Sequence, residues 1–498
     1  MPVVENIMGF MGTHALGLMA QYKQLLIISF ICNKECHMIS GINDFRSVFF
    51  IGVAGTGMSA IAQYLSGLGK VTAGSDRYFK TGEYNETREK LESAGIQCYV
   101  QDGEGIGPGT DLVVVSAAVE DTVPEVQKAK QLGIPIVKRS ELLAWIARSK
   151  KTIAVGGTSG KSTTSAMLFD ILEYAGLEPS IISGAGLVSI IREGKIGNAK
   201  TGRGEWLVIE ADESDGSIVQ YEPEIGLLLN VDKDHKEIDA LMDIFGVFKK
   251  NTKRLFVVNQ GHPLAKQLSQ DIQHDFSAHA DSARGAGYIA RGFRQQGLEI
   301  SFSINDIGFR LQVVGRHNME NALAATAVAN QLGVDLKQCA AALKSYEGIY
   351  RRHQVLGNKE GVWLIDDYAH NPVKCAVSIA ACQEIAPRVV AWFQPHGYGP
   401  TRFLRDDFVK EIAAVLRPED EIWMSEIFYA GGTAEKNISS ADLINDLKAL
   451  GKPAFFVEDR NQFLKAVRPH LTQDCVLLLM GARDPGLEGF ARQVWDEL

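Results

Sequence analysis

The sequence predicts an α/β protein of more than one domain, built largely on parallel sheets. Three observations carry this. Apolar strand-like runs alternate with helix-periodic segments along nearly the whole chain. Two of the strand-to-helix turns are glycine-rich, G-V-A-G-T-G-M-S at 52–59 and G-T-S-G-K-S at 157–162. The chain has 498 residues, 46% of them hydrophobic, which is enough for several cores.

In chain order, a strand is expected at 47–53, then a tight glycine turn and a helix with apolar residues at helical spacing. Further strands fit 71–76, 111–116 and 134–137. A second unit starts at Lys151, with strands at 152–155, 206–209 and 226–231. Residues 280–315 alternate and are punctuated by glycine, which predicts antiparallel hairpins, and a helix follows at 318–332. A third α/β set has strands near 362–366, 388–393, 420–424 and 475–480. No internal repeat or low-complexity tract is present. The expected division is an N-terminal extension of unknown role at 1–43, then domains at 44–148, 149–346 and 347–498.

The net charge is −9 with no long basic run, which argues against a nucleic-acid partner. Seven scattered cysteines include no C-x-x-C pair, and Cys32, Cys36 and His37 lack a fourth ligand, so neither a disulfide framework nor a zinc site is expected. The apolar run 25–32 is far short of the ~20 residues of a membrane span. Residues 1–40 lack a basic start and a small-residue cleavage site, and Met38 offers an alternative start. The expectation is a cytoplasmic protein, monomeric or weakly dimeric, with no membrane or nucleic-acid partner.

Six motifs carry chemistry, each with a bland alternative. In 52–59, Gly55, Thr56, Gly57 and Met58 open a helix whose free N–H groups suit a phosphate. Asp76, 21 residues after Gly55 and next to Ser75, suits a ribose hydroxyl. The spacing G-x-x-G-x-G is not the dinucleotide one, and a structural tight turn is the alternative. In 157–162, Val155 stands where the general phosphate-loop pattern has Gly. If it is such a loop, backbone N–H groups of Gly157, Thr158, Ser159, Gly160 and Lys161 cradle phosphates. Lys161 then neutralises the β/γ oxygens, and Ser162 or Thr163 holds Mg²⁺. The alternative is a helix entry with an exposed Lys. I-E-A-D-E-S-D-G-S at 209–217 places four carboxylates, beginning with Glu210, at a strand's carboxyl end. That suits Mg²⁺, or else a solvated acidic turn. N-V-D-K-D-H at 230–235 offers His235 to a metal or phosphate, or as a structural residue. G-R-H-N-M-E-N at 315–321 offers His317, Asn318 and Asn321 to an adenine edge, or Asn318 as a helix cap. Y-R-R-H at 350–353 and I-D-D-Y-A-H-N-P at 365–372 offer Arg351 and Arg352 to phosphate and Asp367 to ribose, with an internal ion pair as the alternative.

Taken in this order, the motifs resemble the Mur ligase family over roughly residues 46–485, with F-Q-P-H at 393–396 and T-R at 401–402 adding to the likeness. The branch most similar joins L-alanine to UDP-N-acetylmuramate. The resemblance implies a Rossmann-like N-terminal domain for the UDP-sugar, a central P-loop-type ATPase domain, and a C-terminal Rossmann-like α/β domain that closes over ATP and binds the amino acid. It implies that Gly55, Thr56, Gly57, Met58, Ser75, Asp76, Ser116, Ala117 and Ala118 face the UDP-sugar. Lys161, Glu210 and His235 would be catalytic, with Ser162, Glu210 and His235 around Mg²⁺. His317, Asn318 and Asn321 would lie near adenine, and Arg351, Arg352 and Asp367 would reach phosphate and ribose. His370, His396, Arg402 and Arg483 are the candidates for the amino acid.

The sequence departs from that branch in Ser159 and Ser162, in Gly397 and the pair Gly399–Pro400 where the branch carries arginines, and in Arg483 within M-G-A-R-D-P. The acceptor could therefore be L-alanine, glycine, serine or a recycled muropeptide. A nucleotide-dependent oxidoreductase and a non-catalytic UDP-sugar-binding protein are the readings from other classes.

Overall fold

The computed structural model describes residues 39–116, 119–214, 216–233, 236–279, 285–429, 431 and 435–498. Ala117, Ala118 and His235 lie outside them, as do Cys32, Cys36, His37 and most of the 1–43 extension. Residues 1–46 and 47–498 form two units, and the architecture below is that of the second.

The first sheet has five parallel strands in the order Gln97–Val100, Val71–Asp76, Ser47–Ile51, Leu112–Val115, Ile136–Lys138. The strand order reverses beside Ser47–Ile51, so the crevice at its carboxyl end opens at the 52–59 turn. Ser47–Ile51 reads V-F-F-I after its first residue and is buried throughout that run, as a central parallel strand should be.

The second sheet runs Leu255–Val258, Ile225–Leu228, Lys151–Gly156, Trp206–Glu210, Ser180–Ile182, Ala199–Lys200, parallel except for the last pair. Helices Lys161–Tyr174 and Arg316–Gln331 share its core, where Met167, Phe169 and Leu172 join Ala322, Ala325 and Val328. Four further strands include the antiparallel run Tyr288–Gln296, Glu299–Ile304, Ile307–Leu311. Its second turn is Asn305–Asp306, both at positive φ, the two-residue turn whose twist matches a hairpin.

The third sheet has six strands: Gln354–Lys359, Val362–Asp367, Cys475–Gly481, Arg388–Gln394, Glu421–Met424, Ala454–Phe456. Only the first pairs antiparallel. Cys475–Gly481 is buried along its whole length and lies between two apolar layers, one holding Leu478 and Met480, the other Leu477 and Leu479.

The expected strand 226–231 ends at Leu228, because the Asn230 side chain bonds to the neighbouring loop. The helix expected at 318 starts at Arg316, capped by Gly315 at φ 87° rather than by Asn318. The five described cysteines are free and buried. Among the described residues no helix is long and apolar enough to cross a membrane.

Candidate active site

The loop after Lys151–Gly156 is shaped by two glycines at positive φ, Gly157 (134°) and Gly160 (85°). A Cβ on Gly160 would stand 2.5 Å from Asn321 Oδ1. Gly160→Ala is therefore expected to destabilise the protein by ~1–3 kcal/mol, read by urea unfolding, and to spoil the loop. Asn230, reaching over from the end of the next strand, pins the loop. Its Oδ1 accepts from Ser159 N and Thr158 Oγ1, both at 2.8 Å, and its Nδ2 donates to Ser159 O at 3.1 Å. Helix Lys161–Tyr174 then begins with no side-chain cap. Its first N–H groups are left for an anion.

Lys161 Nζ donates to Gly157 O and to Glu213 Oε2, both at 2.7 Å, and lies 4.0 Å from Asp212. Glu213 is only 4% exposed, so this carboxylate is a built ion-pair partner rather than a solvated one, while Asp212 beside it stays partly exposed. Burial opposes ionisation of Asp212, but the Lys161 charge, the Ser214 hydrogen bonds and the Arg139 charge outweigh it and hold its pKa below the ordinary value. Glu210 accepts from Ser183 Oγ at 2.7 Å and Gly184 N at 2.6 Å through one oxygen, and from Ser162 Oγ at 3.0 Å through the other. Ser162 and Glu210 thus present converging hard oxygens, oriented from behind, which fits Mg²⁺. That ion usually takes one or two carboxylates and completes its shell with phosphate and water. Among the described residues no cluster of three or more His, Cys, Asp or Glu forms a metal site. Thr163 sits beside Ser162 in the first helical turn, half-buried.

In the first sheet, Asp76 ties the glycine turn through one carboxylate oxygen, which accepts from Ala54 N at 3.0 Å, while its other oxygen accepts from Tyr78 N at 3.0 Å in the loop that follows it. Ser75 is fully buried and its hydroxyl has no hydrogen-bond partner among the described residues. Met58 is buried in the core, Ser116 is half-buried, and Gly55 and Thr56 are exposed. The turn abuts the second sheet's domain, where Asn198 Nδ2 donates to Thr56 O at 2.8 Å. Arg139, not singled out from the sequence, lies over Gly57, where an added Cβ would be 3.1 Å from its Nη1.

Asn318 and Asn321 are engaged internally. Asn321 Oδ1 accepts from Thr164 Oγ1 at 3.2 Å, its Nδ2 donates to Asn318 at 3.3 Å, and Asn318 Nδ2 donates to Val314 O at 2.8 Å. His317 is exposed at the surface, and partial desolvation by the surrounding protein together with the His353 charge lowers its pKa. Arg351 forms the internal ion pair of the bland alternative, bidentate to Asp366 at 2.8 and 3.2 Å, and also donates to Gly481 O at 3.1 Å. Arg352 stacks on Tyr368 at 5.0 Å. Asp367 accepts from Ser378 Oγ at 2.7 Å.

At the carboxyl ends of the central strands of the third sheet, the rings of His370 and His396 stand 6.0 Å apart. Burial pushes His370 down to about 4, and burial together with the Arg483 charge lowers His396. Arg483 is exposed and holds a left-handed backbone, φ 64°. Arg402 lies 3.6 Å from Glu435. Arg405, nearby in the chain, is committed to Asp446 at 2.7 and 3.0 Å. Gly397 has φ 73°, a backbone that strains any other residue in this structure.

A glycine-turn sheet, a phosphate-loop sheet and a third parallel sheet define a three-domain, nucleotide-dependent α/β protein. Three family profiles match in sequence: Mur ligase family, catalytic domain, at residues 47–151; Mur ligase middle domain at 155–329; and Mur ligase, glutamate ligase domain, at 351–483. UDP-N-acetylmuramate–L-alanine ligase from Pelotomaculum thermopropionicum is 33% identical over 455 residues, 88% of this chain and 95% of the relative. Its namesake from a Synechococcus species is 34% identical over 479 residues, 91% and 95%. The crystal structure of UDP-N-acetylmuramate-alanine ligase from Thermotoga maritima superposes with a TM-score of 0.75 at 26% identity, covering 91% of this chain and 98% of that one. A murein peptide ligase from Psychrobacter arcticus shares the fold, with a TM-score of 0.63 at 20% identity, covering 91% and 98%. The chain belongs to the Mur ligase family.

Proposed function

We propose that the protein is an ATP-dependent ligase that joins L-alanine to the lactoyl carboxylate of UDP-N-acetylmuramate, in peptidoglycan precursor synthesis in the cytoplasm, acting as a monomer or weak dimer. The carrying observation is the loop in which Lys161 and the Ser162–Glu210 pair converge, in a chain about one-third identical to ligases of that name. A carboxylate is a poor acyl donor. Its oxygen therefore attacks the γ-phosphorus of ATP, ADP leaves, and the amine displaces phosphate from the acyl phosphate.

The first step brings two anions together. In this reading Lys161 offsets the charge on the β/γ oxygens, and the uncapped N–H groups at the start of helix Lys161–Tyr174, rather than that of Ser159, which Asn230 holds, keep the phosphates in line. Ser162 and Glu210, with His235 as a third candidate, would hold Mg²⁺, which would supply further charge neutralisation on the nucleotide. The glycine turn at Gly55–Gly57 with Asp76 receives the UDP-sugar. Arg351, Arg352 and Asp367 serve the nucleotide from the closing domain, with His317, Asn318 and Asn321 near the base. The domains divide at 44–148, 149–346 and 347–498.

Position 397 has a backbone that disfavours arginine, and Arg405 is committed to Asp446, so the acceptor carboxylate is left to Arg483, Arg402 and the two histidines. The deciding experiment is phosphate release with ATP, Mg²⁺ and UDP-N-acetylmuramate across single amino acids and a muropeptide. Release with L-alanine alone, dependent on the UDP-sugar, is expected. Arg483→Ala is expected to raise the acceptor KM ~10-fold or more, as loss of a charged hydrogen bond does, and to leave the UDP-sugar KM unchanged. Release with glycine, serine or the muropeptide in place of L-alanine reassigns the acceptor, and UDP-sugar binding without release marks a non-catalytic binding protein.

A further inference from the structure

His353 was not singled out from the sequence, yet it sits at the centre of a four-residue array in the third domain. Its backbone is left-handed, φ 52°, as is that of Arg351 two residues earlier, φ 53°. Two such residues in one short turn are sparsely populated conformations that surrounding structure must hold in place. The imidazole is nearly buried. Nδ1 lies 3.3 Å from Ser378 Oγ and 3.5 Å from Asp367 Oδ2, and Nε2 lies 3.4 Å from Cys382 Sγ. Ser378 Oγ donates to the same Asp367 oxygen at 2.7 Å.

The partners dictate the protons. A carboxylate only accepts, so the ring nitrogen facing it carries the hydrogen, shared between Asp367 and the serine oxygen. Burial pushes the Cys382 thiol well up, so it keeps its proton and offers it to Nε2. One edge of Asp367 is thereby saturated, while no hydrogen bond among the described residues reaches its Oδ1.

We infer that His353 is a positioning residue: with Ser378 and Cys382 it clamps one edge of Asp367 and aims the other at a ribose hydroxyl of the bound nucleotide. This rests on the reading above, in which Asp367 serves the ribose. A carboxylate fixed from behind accepts one hydroxyl at no cost in rotamer freedom, whereas a freely rotating one loses that freedom on binding. The array therefore acts on nucleotide recognition and leaves the chemical step to Lys161 and its neighbours.

The test compares ATP with 2′-deoxyATP and 3′-deoxyATP in UDP-sugar-dependent phosphate release by the full chain. The wild type is expected to show a KM ~10-fold or more higher for at least one deoxy analogue, the size of a lost hydrogen bond to a charged group. In His353→Ala the KM for ATP should rise ~10-fold with kcat within about threefold, and the ratio between ATP and that analogue should collapse toward one. Ser378→Ala, a smaller change, should move both quantities in the same direction, and it carries the test if His353→Ala does not fold. A wild type that turns over but does not discriminate overturns the inference and leaves the ligase reading standing. Variants that raise KM but keep the wild-type ratio also overturn it, because a merely structural role weakens both nucleotides alike. Absence of any UDP-sugar-dependent release in the wild type removes the ligase reading and this inference together.

Discussion

Lys161→Ala is expected to abolish product formation while UDP-sugar binding, measured by calorimetry, survives. Preorganised charges aimed at a developing anionic transition state are typically worth on the order of 10²–10⁴ in rate, and phosphate release should fall by that much. The same substitution has a second effect. Lys161 is the ion-pair partner of Glu213, whose side chain is 5% exposed. Removing one member of a buried pair leaves an uncompensated charge, at a typical cost of ~3–5 kcal/mol. A loss of activity alone would thus confound chemistry with stability. The double variant Lys161→Met, Glu213→Gln separates them, because neither residue then carries a charge that must be compensated. It should recover most of the stability in urea and none of the turnover. Turnover at the wild-type rate in Lys161→Ala would sink the assignment of the loop to phosphoryl transfer.

The parts legible in the sequence are those encoded locally. Runs such as V-L-L-L-M in Cys475–Gly481 are buried on both faces, so their strand character shows without knowing the fold. Gly157 and Gly160 announce a loop because few other residues hold those backbones. Apart from Ile136–Lys138, expected at 134–137, several edge strands did not show. Gln97–Val100 and Ala454–Phe456 are short and only partly buried, and Gln354–Lys359 carries a glycine at a register shift. The site's supporting residues were hidden for another reason: their roles depend on chain segments far apart in sequence. Asn230 pins a loop 71 residues away, and Ser183 orients a carboxylate 27 residues on. His353 looked like the tail of an R-R motif until the fold set it beside Ser378 and Cys382. Asn318 shows the opposite failure. It stood at a plausible cap position, but the helix begins two residues earlier and the amide joins a buried network with Asn321.

Arg351→Ala is expected to destabilise the third domain by ~3–5 kcal/mol, the cost of stranding a buried charge, seen as a lower urea midpoint. Three interactions go at once: both arms of the Asp366 pair and the bond to Gly481 O. Asp366 stays buried at 3% exposure, and alanine gains nothing from the left-handed backbone that Arg351 occupies. This pair ties the start of the domain to the end of its central strand, Cys475–Gly481, so the damage should spread through the sheet rather than remain in the turn. Replacing both partners, Arg351→Met with Asp366→Leu, should restore much of the stability, since apolar groups of similar size need no compensation. The double variant then isolates the nucleotide role. If Arg351 serves phosphate as well as Asp366, the stabilised double variant should still have a raised KM for ATP. A KM for ATP equal to that of the wild type would confine Arg351 to holding the sheet together and leave Arg352, stacked on Tyr368, as the arginine that meets phosphate.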